Sequence, residues 1–288
     1  MNPVTGNIPP TGASFPIGAL QLFESLAGTT WDWLGHARKV KLAISEDSVT
    51  DITELEIATA GLNGIKVTRV TKQEESRYGF DWMWFIGNRD QGYIRYAVQA
   101  KKIILNTSGS YNYRIRHKSG LQIVALKRFA NCVGAIPLYC FYNNVDTSTA
   151  VRHWHCFQQP DVRQMGCTLV PLDAVEIVHK PGHRKDFTAI HQDQRAIPWR
   201  CLFHPSCVSA LIHRRAVGSA DYSTYQAPDD LTNPVPRDLP EFLLGDSPTV
   251  ELDEVIRQLF LDDEGGDPSL RRRLALPARC LVIESEPA

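Results

Sequence analysis

Three residues of this 288-residue chain have the types and spacing to do chemistry together. Asp81 stands two residues after Gly79, and Gln99 and Lys101 follow on either side of Ala100. Phe80-Asp-Trp-Met-Trp-Phe-Ile86 and Tyr93 to Ile104 read as strands, with Gly87-Asn-Arg-Asp-Gln-Gly92 as the turn of a hairpin. Side chains alternate along a strand, so Gln99 and Lys101 share a face, and in a hairpin that face can align with Asp81. An acid, an amide oxygen and an ammonium then converge at one end of a small sheet. Glu46, which opens a helical stretch upstream, could add a second carboxylate.

Phosphodiester hydrolysis needs these groups. Carboxylate and amide oxygens hold Mg²⁺, a hard cation. The metal polarises a phosphoryl oxygen and lowers the pKa of a bound water. A neighbouring lysine orients or helps deprotonate that water and stabilises the charge that develops. Each residue also has a structural reading. Asp81 could pair with a lysine, although Phe80 and Trp82 on either side make it a poor site for a solvated acid. Lys101 could guard a sheet edge, although Lys102 fits that role better. Asp51, Glu54 and Glu56 share the helical stretch of Glu46, and Glu75 is a reserve ligand.

The elements that must position these residues follow from periodicity. Ala19 to Ile44 has helical spacing, with Trp31 and Trp33 as core anchors. Ser45 to Ala60 is a second helical stretch, where Ser48-Val-Thr-Asp51 has capping-box spacing and marks a restart. Gly61 and Gly64 end it. Ile65 to Val70 alternates as a strand. Leu121 to Val133 is a helix with Leu121, Val124, Ala125 and Phe129 on one face, and Ile136 to Tyr142 is a buried strand. Further on, Cys167 to Val178 and Trp199 to Phe203 read as strands, and Cys207 to Ala216 and Val250 to Leu261 as helices. The expected fold is α/β, a central mixed sheet flanked by helices. The chain divides into an N-terminal arm and helix start (1–30), a core (31–150) and a C-terminal extension (151–288).

Asp81 followed by Gln99-Ala-Lys101, behind a helix bearing Glu46, resembles the PD-(D/E)XK nuclease superfamily, the restriction-endonuclease-like fold, in its D…QxK (Mrr-type) branch. The runs Gly79-Phe-Asp-Trp-Met-Trp-Phe85, Val98-Gln-Ala-Lys-Lys102 and Pro137-Leu-Tyr-Cys-Phe-Tyr-Asn143 are similar to an uncharacterised group of bacterial proteins in that superfamily. The resemblance covers about residues 45–145. It implies Asp81, Gln99 through its side-chain oxygen and the Ala100 carbonyl as Mg²⁺ ligands, with Mn²⁺ as a substitute. It implies Lys101 as the catalytic lysine and Glu46 as the helix acid, also at the metal. Phe80 stands where the superfamily often has proline. Related nucleases often place a polar residue at the start of the next helix, here Gln122. Many dimerise to cut two strands, so a homodimer is an expectation, as is a role in bacterial phage defence.

Charge points to an anionic partner. Between Gln91 and Val145 there are eight Lys/Arg and no Asp or Glu, within a chain of net charge −1. Such a window suggests a surface that meets phosphate, its structural alternative being a solvated face whose acids sit elsewhere in the fold; DNA as the polymer is what the nuclease resemblance implies. Tyr111, Tyr113, Arg114, Arg116 and Lys118 interleave aromatic and basic side chains, a pattern that can stack bases and hold phosphates; its structural alternative is a hydrophobic hairpin with solvated arginines. Between Asp221 and Asp267 there are thirteen Asp/Glu and two Arg.

No apolar run is long enough to span a membrane, and Met1 to Phe15, with three prolines and no basic region, reads as a flexible arm rather than a targeting peptide. Seven scattered cysteines argue against a disulfide scaffold and for a reducing cytoplasm. His153-x-His155-Cys156 and Cys201-x₂-His204-x₂-Cys207 could together hold a tetrahedral Zn²⁺. Neither has paired C-x₂-C knuckles, so buried, hydrophobe-like cysteines are the preferred expectation. The leading functional expectation is therefore a Mg²⁺-dependent endonuclease. The alternatives are a catalytically inactive nuclease fold that binds nucleic acid or a partner, and a zinc-stapled interaction protein.

Overall fold

The computed structural model describes residues 18–69, 80–88, 92–105, 111–115, 121–133, 135–204, 207 and 279–284. In chain order these form α1 (Ala19–Lys39), α2 (Glu46–Thr59), β1 (Ile65–Arg69), β2 (Trp82–Asn88), β3 (Gly92–Leu105), β4 (Tyr111–Tyr113), α3 (Leu121–Val133) and β5 (Ile136–Tyr142). There follow α4 (Thr147–Arg152), β6 (Cys167–Pro171), α5 (Leu172–His179), α6 (Phe187–His191), β7 (Ile197–Pro198) and β8 (Arg279–Glu284). Short 3-10 turns cover Val162–Gly166 and Trp199–Phe203.

The strands make one mixed sheet of eight, in the order β1-β8-β2-β3-β5-β6-β7, with β4 paired to β3. The expected hairpin forms: β2 and β3 run antiparallel, with Trp82 opposite Val98 and Asn88 opposite Gly92. β3 pairs with β5 in parallel, placing Gln99 opposite Tyr139. The parallel step needs a crossover, and α3 provides it. The α/β fold with a central mixed sheet and flanking helices is as the periodicity indicates.

β8 lies between β1 and β2, antiparallel to the first and parallel to the second. Strands from the C-terminal half thus complete the same sheet as the hairpin. Leu281, Val282 and Ile283 are all buried there.

α1 packs its periodic residues Phe23, Leu26, Ala27, Trp31 and Leu34 into the core, while Trp33 is half-buried. Its approach to the turn at Gly166 is close. A Cβ on Gly166 would stand 2.0 Å from the Ala27 carbonyl oxygen, so no larger residue fits. α2 starts at Glu46 rather than restarting at Ser48, because Ser45 is the N-cap: its side chain accepts from the Ser48 N–H at 2.9 Å. Gly61 and Gly64 follow that helix with φ of 62° and 79°, a region that favours glycine.

Three expectations are corrected. The buried face of α3 is Ile123, Leu126, Phe129 and Ala130, while Val124 is 53% exposed, because the sheet lies on the side of the i, i+3 row that starts at Ile123. Cys167 to Val178 is a strand only to Pro171, whose ring ends the ladder and opens α5 with Asp173 in its first turn. Trp199 to Phe203 is a 3-10 turn, its apolar residues buried on all sides rather than alternating. The N-terminal arm, the Val250 to Leu261 helix, Glu75 and the Cys207 to Ala216 helix beyond its first residue lie outside the described residues.

Candidate active site

Asp81 sits at the mouth of β2 between two buried aromatics. Phe80 stacks on Phe129 of α3 with ring centroids 4.2 Å apart, and Trp82 is in the core beside Trp84. Burying side chains of this size contributes about 1.5–3 kcal/mol each, so the backbone on both sides of Asp81 is pinned. The Asp81 N–H donates to the Val98 carbonyl at 2.8 Å, extending the ladder one step past Trp82 and Val98. Asp81 is thereby set across from Gln99, on the same face of the sheet.

Asp81, Gln99 and Ala100 come together. Asp81 Oδ2 accepts from the Ala100 N–H at 2.7 Å and from Gln99 Nε2. Gln99 Nε2 also donates to the Ala100 carbonyl at 3.0 Å. The Gln99 amide group therefore stands between a carboxylate oxygen and a backbone carbonyl oxygen. Gln122, the second residue of α3, donates its Nε2 to Gln99 Oε1 at 2.6 Å, and its own Oε1 is buried with no partner among the described residues.

Lys101 and Glu46 form the other half of the site. Lys101 is 5% exposed, and its Nζ donates to Glu46 Oε1 at 2.8 Å. The second Glu46 oxygen accepts from the Lys102 N–H at 2.8 Å. Glu46 is the first residue of α2, where exposed N–H groups favour an acid. Thr50, one turn on, meets the Tyr142 hydroxyl at 3.1 Å and ties α2 to β5. Burial lowers the Lys102 pKa, with Glu46 opposing that shift and Arg114 adding to it.

Tyr139 was not singled out by its sequence. It lies on β5, paired with Gln99 on β3, and its buried hydroxyl has no partner among the described residues. Burial raises its pKa, and the carboxylates of Asp81, Glu46 and Glu176 raise it further. No pattern within Ile136-Pro-Leu-Tyr-Cys-Phe-Tyr142 distinguishes Tyr139 from its neighbours, because the strand is buried on both faces.

The expected nucleic-acid contacts divide. Arg114 is exposed. Tyr113 is not available for base stacking: it is 3% exposed, its hydroxyl donates to Asn143 Oδ1, and its ring packs edge-on against Phe141. An apolar ring facing the sheet gains more from core burial than from solvent. Arg116 and Lys118 lie outside the described residues.

The histidine–cysteine clusters are also split by the fold. Cys156, Cys201 and Cys207 meet. His155 instead places its Nε2 2.9 Å from the His191 carbonyl, and His153 packs against Phe187.

A hard cation takes oxygen ligands, and the site offers a carboxylate and a backbone carbonyl, with the Gln99 amide between them turned NH₂-first. The two ends of a side-chain amide have nearly the same shape. With Gln99 and Gln122 both turned end for end, Gln99 would offer its oxygen toward Asp81 and the Ala100 carbonyl. Its NH₂ would then donate to the Gln122 oxygen, with the Gln122 NH₂ taking the partnerless position.

A family of unknown function, DUF6615, matches residues 19–287. The chain belongs to that family. The match takes in the Asp81 site, all eight strands and the cysteine cluster. No curated protein matches the sequence. Among the described residues, no helix is long and apolar enough to cross a membrane.

Proposed function

We propose that the chain is a metal-dependent nuclease that hydrolyses phosphodiester bonds, with DNA as its substrate. The supporting observation is the gathering of Asp81, Gln99 and the Ala100 carbonyl around one amide group, with Lys101 two residues on along the same strand. Four polar groups packed this way gain little for stability, since buried ionic groups roughly break even after desolvation.

Asp81, Gln99 and the Ala100 carbonyl would hold Mg²⁺, which when bound polarises a phosphoryl oxygen and lowers the pKa of a water. Lys101 donates to the phosphate or to the attacking water and stabilises the negative charge that builds up. Glu46 keeps the Lys101 ammonium in place, and with its N–H contact from Lys102 it locks the start of α2 to β3. Gln122 orients the Gln99 amide. Arg114 adds positive charge to the approach. A place in phage defence in a bacterial cytoplasm belongs to the same proposal; the defence role rests on the sequence resemblance and the cytoplasm on the seven scattered cysteines.

The test is incubation of the purified chain with plasmid and Mg²⁺, with and without EDTA, beside Asp81→Ala. Cleavage that needs the metal and vanishes in the variant supports the reading. A variant that cleaves as well as the wild type ends it. DNA binding without cleavage in either protein would favour the inactive binding module.

A further inference from the structure

Three cysteines from two distant stretches of chain meet in the C-terminal half. Cys156 lies in the loop after α4, Cys201 in the 3-10 turn Trp199–Phe203, and Cys207 just beyond it. Their sulfurs all lie within 4.8 Å of one another, and none of the three residues is more than 8% exposed. A tetrahedral zinc thiolate has Zn–S bonds of about 2.3 Å, which separates its sulfurs by about 3.8 Å. A small contraction of this cluster reaches that geometry.

The cluster is surrounded by hydrogen-bond donors and a cation. The Gln158 N–H donates to Cys156 Sγ at 3.4 Å, the Phe157 N–H donates to Cys207, and the Arg200 guanidinium lies beside Cys156. The three sulfurs also lie together, within reach of a single ion. Cys140 and Cys167 are buried on the neighbouring strands β5 and β6, outside the cluster, as small hydrophobes are.

We propose that Cys156, Cys201 and Cys207 bind a structural Zn²⁺ as three thiolates. The fourth position is open to one more ligand. His204 stands in the same turn, its N–H bonded to the Cys201 carbonyl at 3.0 Å and its carbonyl accepting from the Cys207 N–H at 2.9 Å. The metal fastens the loop at Cys156 to the segment that carries Trp199 and Arg200. That segment in turn holds α1: Trp199 Nε1 donates to the Phe23 carbonyl at 2.7 Å, and Arg200 pairs with Glu24 at 2.7 Å. Zinc here is a staple between the C-terminal half and the first helix. Binding releases the thiol protons to solvent and involves no redox change. The proposal shares no residue with the Asp81 site.

The test is metal analysis of the full-length protein purified without chelator, followed by Co²⁺ substitution. The expected result is stoichiometric zinc, retained in Asp81→Ala and lost in Cys156→Ser and Cys201→Ser. Co²⁺ should give the thiolate-to-metal charge-transfer band and intense visible bands of a tetrahedral site. Stripping the zinc should lower the melting temperature by about 5 °C or more. If the cysteine variants fail to fold, the wild-type cobalt spectrum decides. Zinc far below stoichiometry together with a cobalt spectrum lacking thiolate bands would overturn the proposal. So would zinc kept by Cys156→Ser and Cys201→Ser, or two of the three sulfurs joined in a disulfide.

Discussion

The Lys101 ammonium is held 2.8 Å from Glu46 while almost fully buried, its side chain 7% exposed against 31% for its partner. The two halves of this ion pair differ in what their loss should do. Glu46→Ala would strand a buried cation, whereas Lys101→Met would replace it with an apolar chain of similar length. Replacing a buried charge with a well-packed apolar group is often neutral or stabilising.

Lys101→Met should therefore keep or raise the melting temperature while lowering the cleavage rate on the order of 10²-fold or more. Glu46→Ala should lower the melting temperature. Thermal melts of the two variants beside plasmid cleavage assays check this. A Lys101→Met protein that melts lower than Glu46→Ala would contradict the assignment of the buried charge.

Gln122→Met should remove the partner that orients Gln99 without touching Asp81 or the Ala100 carbonyl. Losing an outer partner of a metal ligand typically costs 10- to 100-fold in metal affinity or activity. The Mg²⁺ concentration for half-maximal cleavage should rise by about that much while the rate at saturating metal changes less. An unchanged Mg²⁺ requirement would reduce Gln122 to a helix-packing residue.

The hairpin and its site were legible because the information is local. Phe80 to Ile104 carries its own strand patterns, and pairing follows from a short turn, so the shared face of Asp81, Gln99 and Lys101 could be read directly. Glu46 was legible through the helix start, although Ser45 rather than Ser48 caps it. Tyr139 was hidden because a strand buried on both faces has no alternation to mark which residues look into the site. β8 was hidden because its partners are more than 190 residues upstream, and six apolar-rich residues far from any hairpin do not declare a place between β1 and β2. The cysteine cluster was visible only as two separate stretches. Its spacing lacks paired knuckles, and only the fold shows which cysteines meet and that His153 and His155 turn elsewhere.

His191 should make stability fall in acid. It is fully buried, with Nδ1 2.9 Å from the Phe187 carbonyl and Nε2 2.8 Å from Thr168 Oγ1, and burial lowers its pKa from 6.5 to about 3. The unfolded chain therefore binds a proton between these values that the folded chain refuses. Its contribution is fully present above about pH 6.5 and is lost as pH falls toward 3, with a slope of up to about 1.4 kcal/mol per pH unit. Denaturant unfolding of wild type and His191→Gln across this range should show a shallower pH slope in the variant. Equal slopes would mean that other groups set the acid limit.

Arg114 is exposed beside Lys102 and should contact phosphate without reading sequence. Arg114→Ala should weaken DNA binding to all sequences alike and reduce the salt slope by about one unit. Arg116→Ala and Lys118→Ala are expected to do the same. Binding titrations over a range of salt measure the slope, and an unchanged slope would leave these residues as a solvated face.

Removal of residues 279–288 should destroy the fold rather than trim it. β8 occupies an interior position, with five residue pairs on β1 and five on β2. Its three buried side chains, Leu281, Val282 and Ile283, are worth about 1.5–3 kcal/mol each by burial. Together that is comparable to the whole net stability of a typical domain, about 5–15 kcal/mol. The loss would also open two unpaired edges inside the sheet, the arrangement that most readily recruits another chain. β2 would be one of them, and Asp81 is fixed at its start. The truncated chain should be insoluble, or soluble with reduced sheet content by circular dichroism and no cleavage. A truncated protein that melts within a few degrees of the full chain and still cuts plasmid would show that β8 does not hold the Asp81 strand in place.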